Sequence, residues 1–115
     1  MRVELPWPPQ KTSKNGSQGD YHGKAKAAKS YKNSCAWCCV EQGVRQIKAD
    51  RVTVKVTYYP PVNRRIDWDN MAARCKQGFD AVAEAIGVDD GQWWPVVSDR
   101  GPAKKGGAVV VEVSQ

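Results

Sequence analysis

Long apolar runs are absent from this 115-residue chain, histidine and phenylalanine occur once each, and acids are scarce in the N-terminal third. No stretch approaches the roughly 20 apolar residues that a helix needs to span a bilayer, which argues against a membrane protein. Nor does the opening Met1-Arg2-Val3-Glu4-Leu5 carry the apolar core of a secretory signal, so a cytoplasmic protein is expected. His22, the sole histidine, lies in a polar, lysine-bearing stretch where solvent or a phosphate is its natural neighbour, and it makes a poor general base.

Four cysteines in a chain of this kind are expected as reduced thiols rather than disulfides. The Cys35-Ala36-Trp37-Cys38-Cys39 cluster contains one Cys-x-x-Cys, with Cys75 and His22 as remote fourth partners. A second such pair is missing, so thiols packed as small apolar groups on a helix face are favoured over zinc.

What the chain does have is uneven charge. Lysine and arginine number 18 against 12 acids, a formal charge of +6, with a pI near 9.3, which favours a polyanionic partner. Six lysines (11, 14, 24, 26, 29 and 32) crowd the span from Lys11 to Lys32 with only Asp20 against them, whereas Asp80 to Asp90 holds four acids and no base. One region attracts phosphate and another concentrates carboxylate.

The length predicts a single domain, residues 1–115, with a thin core that dimerisation would help. Val3–Leu5 reads as a first strand stopped by Pro6-Trp7-Pro8-Pro9, and Gln10–Gly23 as a mobile surface loop. From Lys24 to Gln42 an apolar stripe of Ala28, Tyr31, Cys35, Cys38 and Cys39 predicts a helix ending at Gly43. Arg51–Tyr59 alternates as a strand burying Val52, Val54, Val56 and Tyr58, stopped by Pro60-Pro61. Asp69 or Asn70 then caps a second helix with apolar positions Met71, Cys75, Phe79, Val82 and Ile86, ending at Gly87. Gln92–Val97 and Ala108–Val113 read as two last strands joined by a basic loop, Ser98–Gly107. The fold class is mixed α/β (α+β): strand, helix, strand, helix, strand, strand, with one mixed sheet of about four strands packed with two helices.

Chemistry concentrates in Arg64-Arg65-Ile66-Asp67-Trp68-Asp69-Asn70 and in Asp89-Asp90-Gly91-Gln92. In an extended stretch Asp67 and Asp69 point the same way while Trp68 turns inward. Their hard oxygens suit Mg²⁺, with Mn²⁺ possible, and Asp89 or Asp90 can complete the set if the fold brings that loop back. A metal so held hydrolyses phosphodiesters by activating a water and neutralising developing charge. Lys76, nearly two turns beyond Asp69, falls on the same helical face and reaches toward a phosphate. Plain roles stay open: Asp69 as a cap, Asp89-Asp90-Gly91 as a turn, Lys76 paired with Asp80. Lys14, Lys24, Lys26, Lys29, Arg64, Arg65, Arg100, Lys104 and Lys105 either form a solvated face or rim the acidic site for DNA binding. Of the five tryptophans most are expected in the core or a dimer interface, with Trp68 or Tyr59 as a candidate wedge against an unpaired base.

At several separated places in the right order the chain resembles the RusA family of Holliday-junction resolvases, small phage and prophage endonucleases. Leu5-Pro6-Trp7-Pro8-Pro9 is similar to that family's start, Asp67-Trp68-Asp69-Asn70 to its Asp-x-Asp-Asn signature, and Lys76-Gln77-Gly78-Phe79-Asp80-Ala81 to its Lys-x-x-x-Asp-Ala stretch. Asp89-Asp90-Gly91-Gln92 is similar to its Asp-Asp-x-Gln, and Lys105-Gly106-Gly107 also fits. The resemblance implies that Asp67, Asp69 and Asp90 are catalytic, metal-binding carboxylates and that Lys76 assists at the phosphate. It further implies a homodimer, Mg²⁺ dependence and paired nicks across a four-way DNA junction in recombination and repair, in a bacterial or phage-infected cell. The stretch between Asn70 and Lys76 is longer than in the shortest members, which offers Arg74 as a substitute for Lys76, and the cysteine cluster lies outside the family pattern. The rival readings are a noncatalytic DNA-binding or junction-protecting phage module and a zinc-stabilised regulatory protein.

Overall fold

A computed structural model describes residues 1–10 and 21–115, apart from the side chains of Tyr21 and His22. The expectations for Lys11, Lys14 and the loop through Asp20 therefore lie outside the described residues. Strand β1 (Arg2–Leu5) is followed by helix α1 (Tyr21–Glu41), strand β2 (Val52–Tyr59), helices α2 (Trp68–Arg74) and α3 (Lys76–Ile86), strand β3 (Trp93–Arg100) and strand β4 (Ala108–Ser114). A 3₁₀ turn, Asp90–Gln92, leads into β3. Among the described residues no helix is long and apolar enough to cross a membrane.

The strands form one mixed sheet in the order β1-β4-β2-β3. β4 runs antiparallel to both β1 and β2, while β2 and β3 are parallel. Parallel neighbours need a crossover, and α2 with α3 supplies it, returning the chain from the end of β2 to the start of β3. The alternation read in β2 is observed: Val52, Val54, Val56 and Tyr58 are buried. Across the ladder Val54, Val56 and Tyr58 sit opposite Val113, Val111 and Val109, so two valine pairs and one tyrosine–valine pair knit the core face of the two central strands.

Onto that core α3 lays Val82 and Ile86, both fully buried, and α1 adds Tyr31, Cys35 and Cys39 at helical spacing. The helices close tightly at Gly78, where a methyl group would stand 3.1 Å from the Tyr31 ring and 3.2 Å from the Cys35 sulfur. Cys35, Cys39 and Cys75 are buried and Cys38 half-buried, with all four thiols free. Burial pushes the Cys35 and Cys75 thiols up to about 12. A disulfide-exchange reagent at pH 8 is therefore expected to label Cys38 first and the other three only after denaturant is added, because the thiolate is the nucleophile. Rapid labelling of all four in the native protein would contradict this packing.

Three expectations need correction. The second helix is not continuous: Cys75, with φ −90° and ψ 2°, leaves helical geometry and divides α2 from α3. Phe79 still donates to the Cys75 carbonyl at 3.0 Å, so the break is a bend, and it turns Arg74 toward the N-terminal prolines. The residue at the N-cap is Asp67, without a side-chain capping bond, rather than Asp69 or Asn70. Trp68 does not turn inward, because helix starts at that residue and the extended alternation ends one residue earlier; it is 70% exposed. Trp37 and Trp94 are exposed as well, leaving Trp93 buried and Trp7 half-buried.

β1 starts one residue and α1 three residues earlier than read, so that His22 lies in the first turn of α1 rather than in a loop. β3 runs on to Arg100, shortening the basic loop to 101–107. That loop is tied down by Gly101 donating to the Tyr58 carbonyl at 2.9 Å and Lys104 to the Pro60 carbonyl at 2.8 Å. Gly107 closes it at φ +71° with its Cα against Trp7; a side chain there would meet both left-handed strain and the indole, 2.9 Å from its Cβ.

Candidate active site

Lys76 opens α3, and its ammonium donates to two carboxylates: Asp80 Oδ1 at 2.9 Å, one turn along the helix, and Asp90 Oδ2 at 2.7 Å, in the turn beyond it. Those bonds, first to Asp90 and then to Asp80, raise the lysine above its ordinary value. On the alkaline side the pairing is therefore kept at neutral pH and is lost as pH rises through that raised value. Asp90 reaches this position because its neighbour shapes the turn: Asp89 Oδ2 accepts from the Gly91 amide at 3.1 Å, and Trp93 donates its indole N–H to the Val88 carbonyl at 3.0 Å. Asp89 thus fixes the loop and Asp90 faces the lysine.

A second cluster forms at the start of α2. Asp69 Oδ1 accepts from the Asn70 amide at 2.9 Å, the Asn70 side-chain amide lies 3.5 Å from Asp67 Oδ2, and Arg65 Nη2 stands 3.4 Å from Asp67 Oδ1. Asp67 and Asp69 are both exposed, at the surface where α2 emerges from the linker. Arg65, read from the sequence as a phosphate contact, and Asn70, read as a helix cap, are instead the partners of Asp67.

The structure therefore gathers the named residues into two groups, Asp67 with Asp69 and Lys76 with Asp90. Exposed carboxylates are the donors that a hard divalent cation takes, and Asp67, Asp69 and Asp90 suit one in kind. Among the described residues, however, no three His, Cys, Asp or Glu side chains stand close enough together to hold a metal. The bend at Cys75 also removes the continuous helical face on which Lys76 was expected beside Asp69. Arg74 does not substitute for Lys76: it donates to the Pro8 carbonyl at 2.7 Å, and its guanidinium lies 5.7 Å from the centre of the Trp7 ring.

Of the basic residues, Arg64 and Arg65 are exposed on the linker that carries Asp67, and Lys26 and Lys29 are exposed along α1 with Lys24 half-buried. Lys104 is tied to Glu4 at 2.6 Å, and Lys105 is exposed. Arg100, at the end of β3, joins Tyr58, Ile66, Trp68, Met71, Ser98 and Asp99 around a cleft of about 180 Å³.

No family model matches the chain. Over 116 aligned positions it is 31% identical to an uncharacterized protein of Xylella fastidiosa (strain Temecula1 / ATCC 700964), covering 97% of this chain and 74% of that relative. The chain belongs to that protein's family. Because the match to this Xylella relative leaves out so little of the chain, both carboxylate groups fall inside it, and the relative carries further sequence beyond it.

Proposed function

We propose that this protein is a divalent-metal-dependent, structure-selective endodeoxyribonuclease of the RusA type that cuts four-way DNA junctions by paired nicks. The contact between Lys76 and Asp90 carries the reading, because it joins two of the separated segments that resemble that family in one ion pair. Asp67, Asp69 and Asp90 would hold Mg²⁺ or Mn²⁺, which supplies an activated water and neutralises charge on the phosphate. The chain's own residues supply the rest. Lys76, charged throughout the neutral range, holds Asp90 in place and offers an ammonium to a nonbridging oxygen. Arg65 beside Asp67 offsets the repulsion between carboxylates and an approaching phosphate.

The homodimer that goes with this reading has a natural seam. β3 is an edge strand with Trp94, Val96 and Val97 exposed at 61%, 47% and 47%. Long apolar edges of this kind invite a second copy. Within one copy Asp90 precedes the start of β3, whereas Trp68 shares a cleft with Ser98, Asp99 and Arg100 at its far end. Eight residues of strand separate those ends by roughly 23 Å. Two β3 strands side by side in the antiparallel sense bring the Asp90 end of one copy to the Asp67–Asp69 end of the other. A twofold enzyme of that form also matches the approximate twofold symmetry of a four-way junction.

That no three ligating side chains form one group among the described residues favours a second reading, a noncatalytic junction-binding module with the same basic rim. Labelled junction with Mg²⁺ separates the two: the first gives nicks and the second only a complex. In either case Lys24→Ala and Arg65→Ala should each flatten the dependence of log K on log salt by close to one contact, about 0.9 in slope for duplex DNA. An unchanged slope removes the residue from the phosphate-contact set.

A further inference from the structure

Beside the acidic cluster lies a cleft that the nuclease reading does not use. Trp7 and Gln10 wall it on one side and Pro60, Pro61 and Val62 on another; Arg64, Arg65 and Arg74 contribute charge, and Ile66 and Met71 the floor. Its volume is about 260 Å³, room for a phosphate with its sugar. Among the described residues three arginines line it and no Asp or Glu does.

Of the three, Arg74 has contacts that tie its guanidinium to the N-terminal segment. It is held by the Pro8 carbonyl at 2.7 Å and stands over the Trp7 ring, and Trp7 is itself backed by Gly107. A guanidinium fixed in this way loses little rotamer freedom when an anion arrives, and its half-buried position screens it less than a surface lysine. Arg65 lines the same cleft and reaches Asp67 at 3.4 Å, so one side chain separates this cleft from the carboxylates.

We infer that the cleft of Arg64, Arg65 and Arg74 against Trp7 is a seat for a backbone phosphate next to the one that is cut. The inference rests on the nuclease reading for the identity of the strand, but not for the binding of an anion. Three arginines around one concavity favour an oxyanion over a neutral base, since guanidinium groups form charge-assisted, often bidentate hydrogen bonds to phosphate oxygens. Seating a neighbouring phosphate fixes where the strand crosses Asp67 and Asp69, which sets the position of the nick.

The test is binding of a four-way junction without divalent cation, so that cutting plays no part. Junctions carry one neutral methylphosphonate at each of the phosphates around the branch point in turn. At one of these positions the neutral group should weaken wild-type binding about tenfold. Arg74→Gln should weaken binding of the unmodified junction by a similar factor and lose nothing more on the modified one. Additive losses at every position would overturn the inference, and so would no loss at any. Arg64→Gln gives the same cycle if Arg74→Gln melts early. Inorganic phosphate, titrated against the wild-type protein with nitrogen-labelled arginine, should shift the Arg74 side-chain resonance saturably; a shift with no coupling on the junction assigns the cleft to free phosphate and overturns the DNA seat. If the coupling is found but Mg²⁺ never produces a nick, the seat stands and the nuclease reading falls.

Discussion

Asp69→Asn is expected to cut a four-way junction about a thousandfold more slowly than wild type, or not at all, while binding it nearly as tightly. A metal-held water and a neutralised phosphate are together worth several kcal/mol of barrier, and each 1.4 kcal/mol is about tenfold in rate. The substitution keeps shape and removes charge. Asp69 is exposed and accepts only from the amide of its neighbour, which an asparagine oxygen does as well, so the fold has little reason to respond. Affinity should hold or rise slightly, because a negative charge facing the phosphates is gone. Asp67→Asn should behave alike. Equal loss of binding and cutting would point to damage at the start of α2 rather than to lost chemistry, and a gel-shift titration beside the cleavage assay tells these apart.

Mixing two inactive variants should restore cutting. If one copy's Asp67 and Asp69 work with the Asp90 of another, a dimer of one Asp69→Asn subunit and one Asp90→Asn subunit holds both lesions in one site and leaves the second site whole. Random exchange makes about half of the dimers mixed, so roughly a quarter of the wild-type number of sites should return. Each mixed dimer has a single working site and should nick the junction without resolving it into two duplexes. If every site instead belongs to one copy, the mixture stays as dead as its parts. Val97→Lys, placing charge on the exposed edge of β3, should weaken the dimer and abolish the recovery.

Much of the fold was legible because periodicity reports burial. β2 and the α3 stripe follow directly from alternation and from three-to-four spacing; Val52, Val54, Val56 and Tyr58 are buried as read, and Thr57, read on the open face, is buried as well. The bend at Cys75 was not legible: Met71, Cys75 and Phe79 keep helical spacing across it, so an apolar pattern alone cannot distinguish one helix from two. Trp68 was misplaced for a related reason: the strand alternation that turned it inward does not apply where helix has already begun, and α2 starts at that residue. At the candidate site, the pairing of Lys76 with Asp80 one turn along the helix was legible from spacing and is observed, whereas the contact of Lys76 with Asp90 was not foreseen. The distance between that pair and Asp67–Asp69 depends on the course of the crossover and on any second copy, and neither is written in local pattern.

The most direct measurement is cleavage of an end-labelled four-way junction by the wild-type protein in Mg²⁺, against parallel reactions in chelator and with Asp67→Asn and Asp90→Asn. Paired, metal-dependent nicks that vanish in both variants are the expected result. A junction bound but left intact in Mg²⁺ and in Mn²⁺, or cut as fast by the two variants as by wild type, would contradict it.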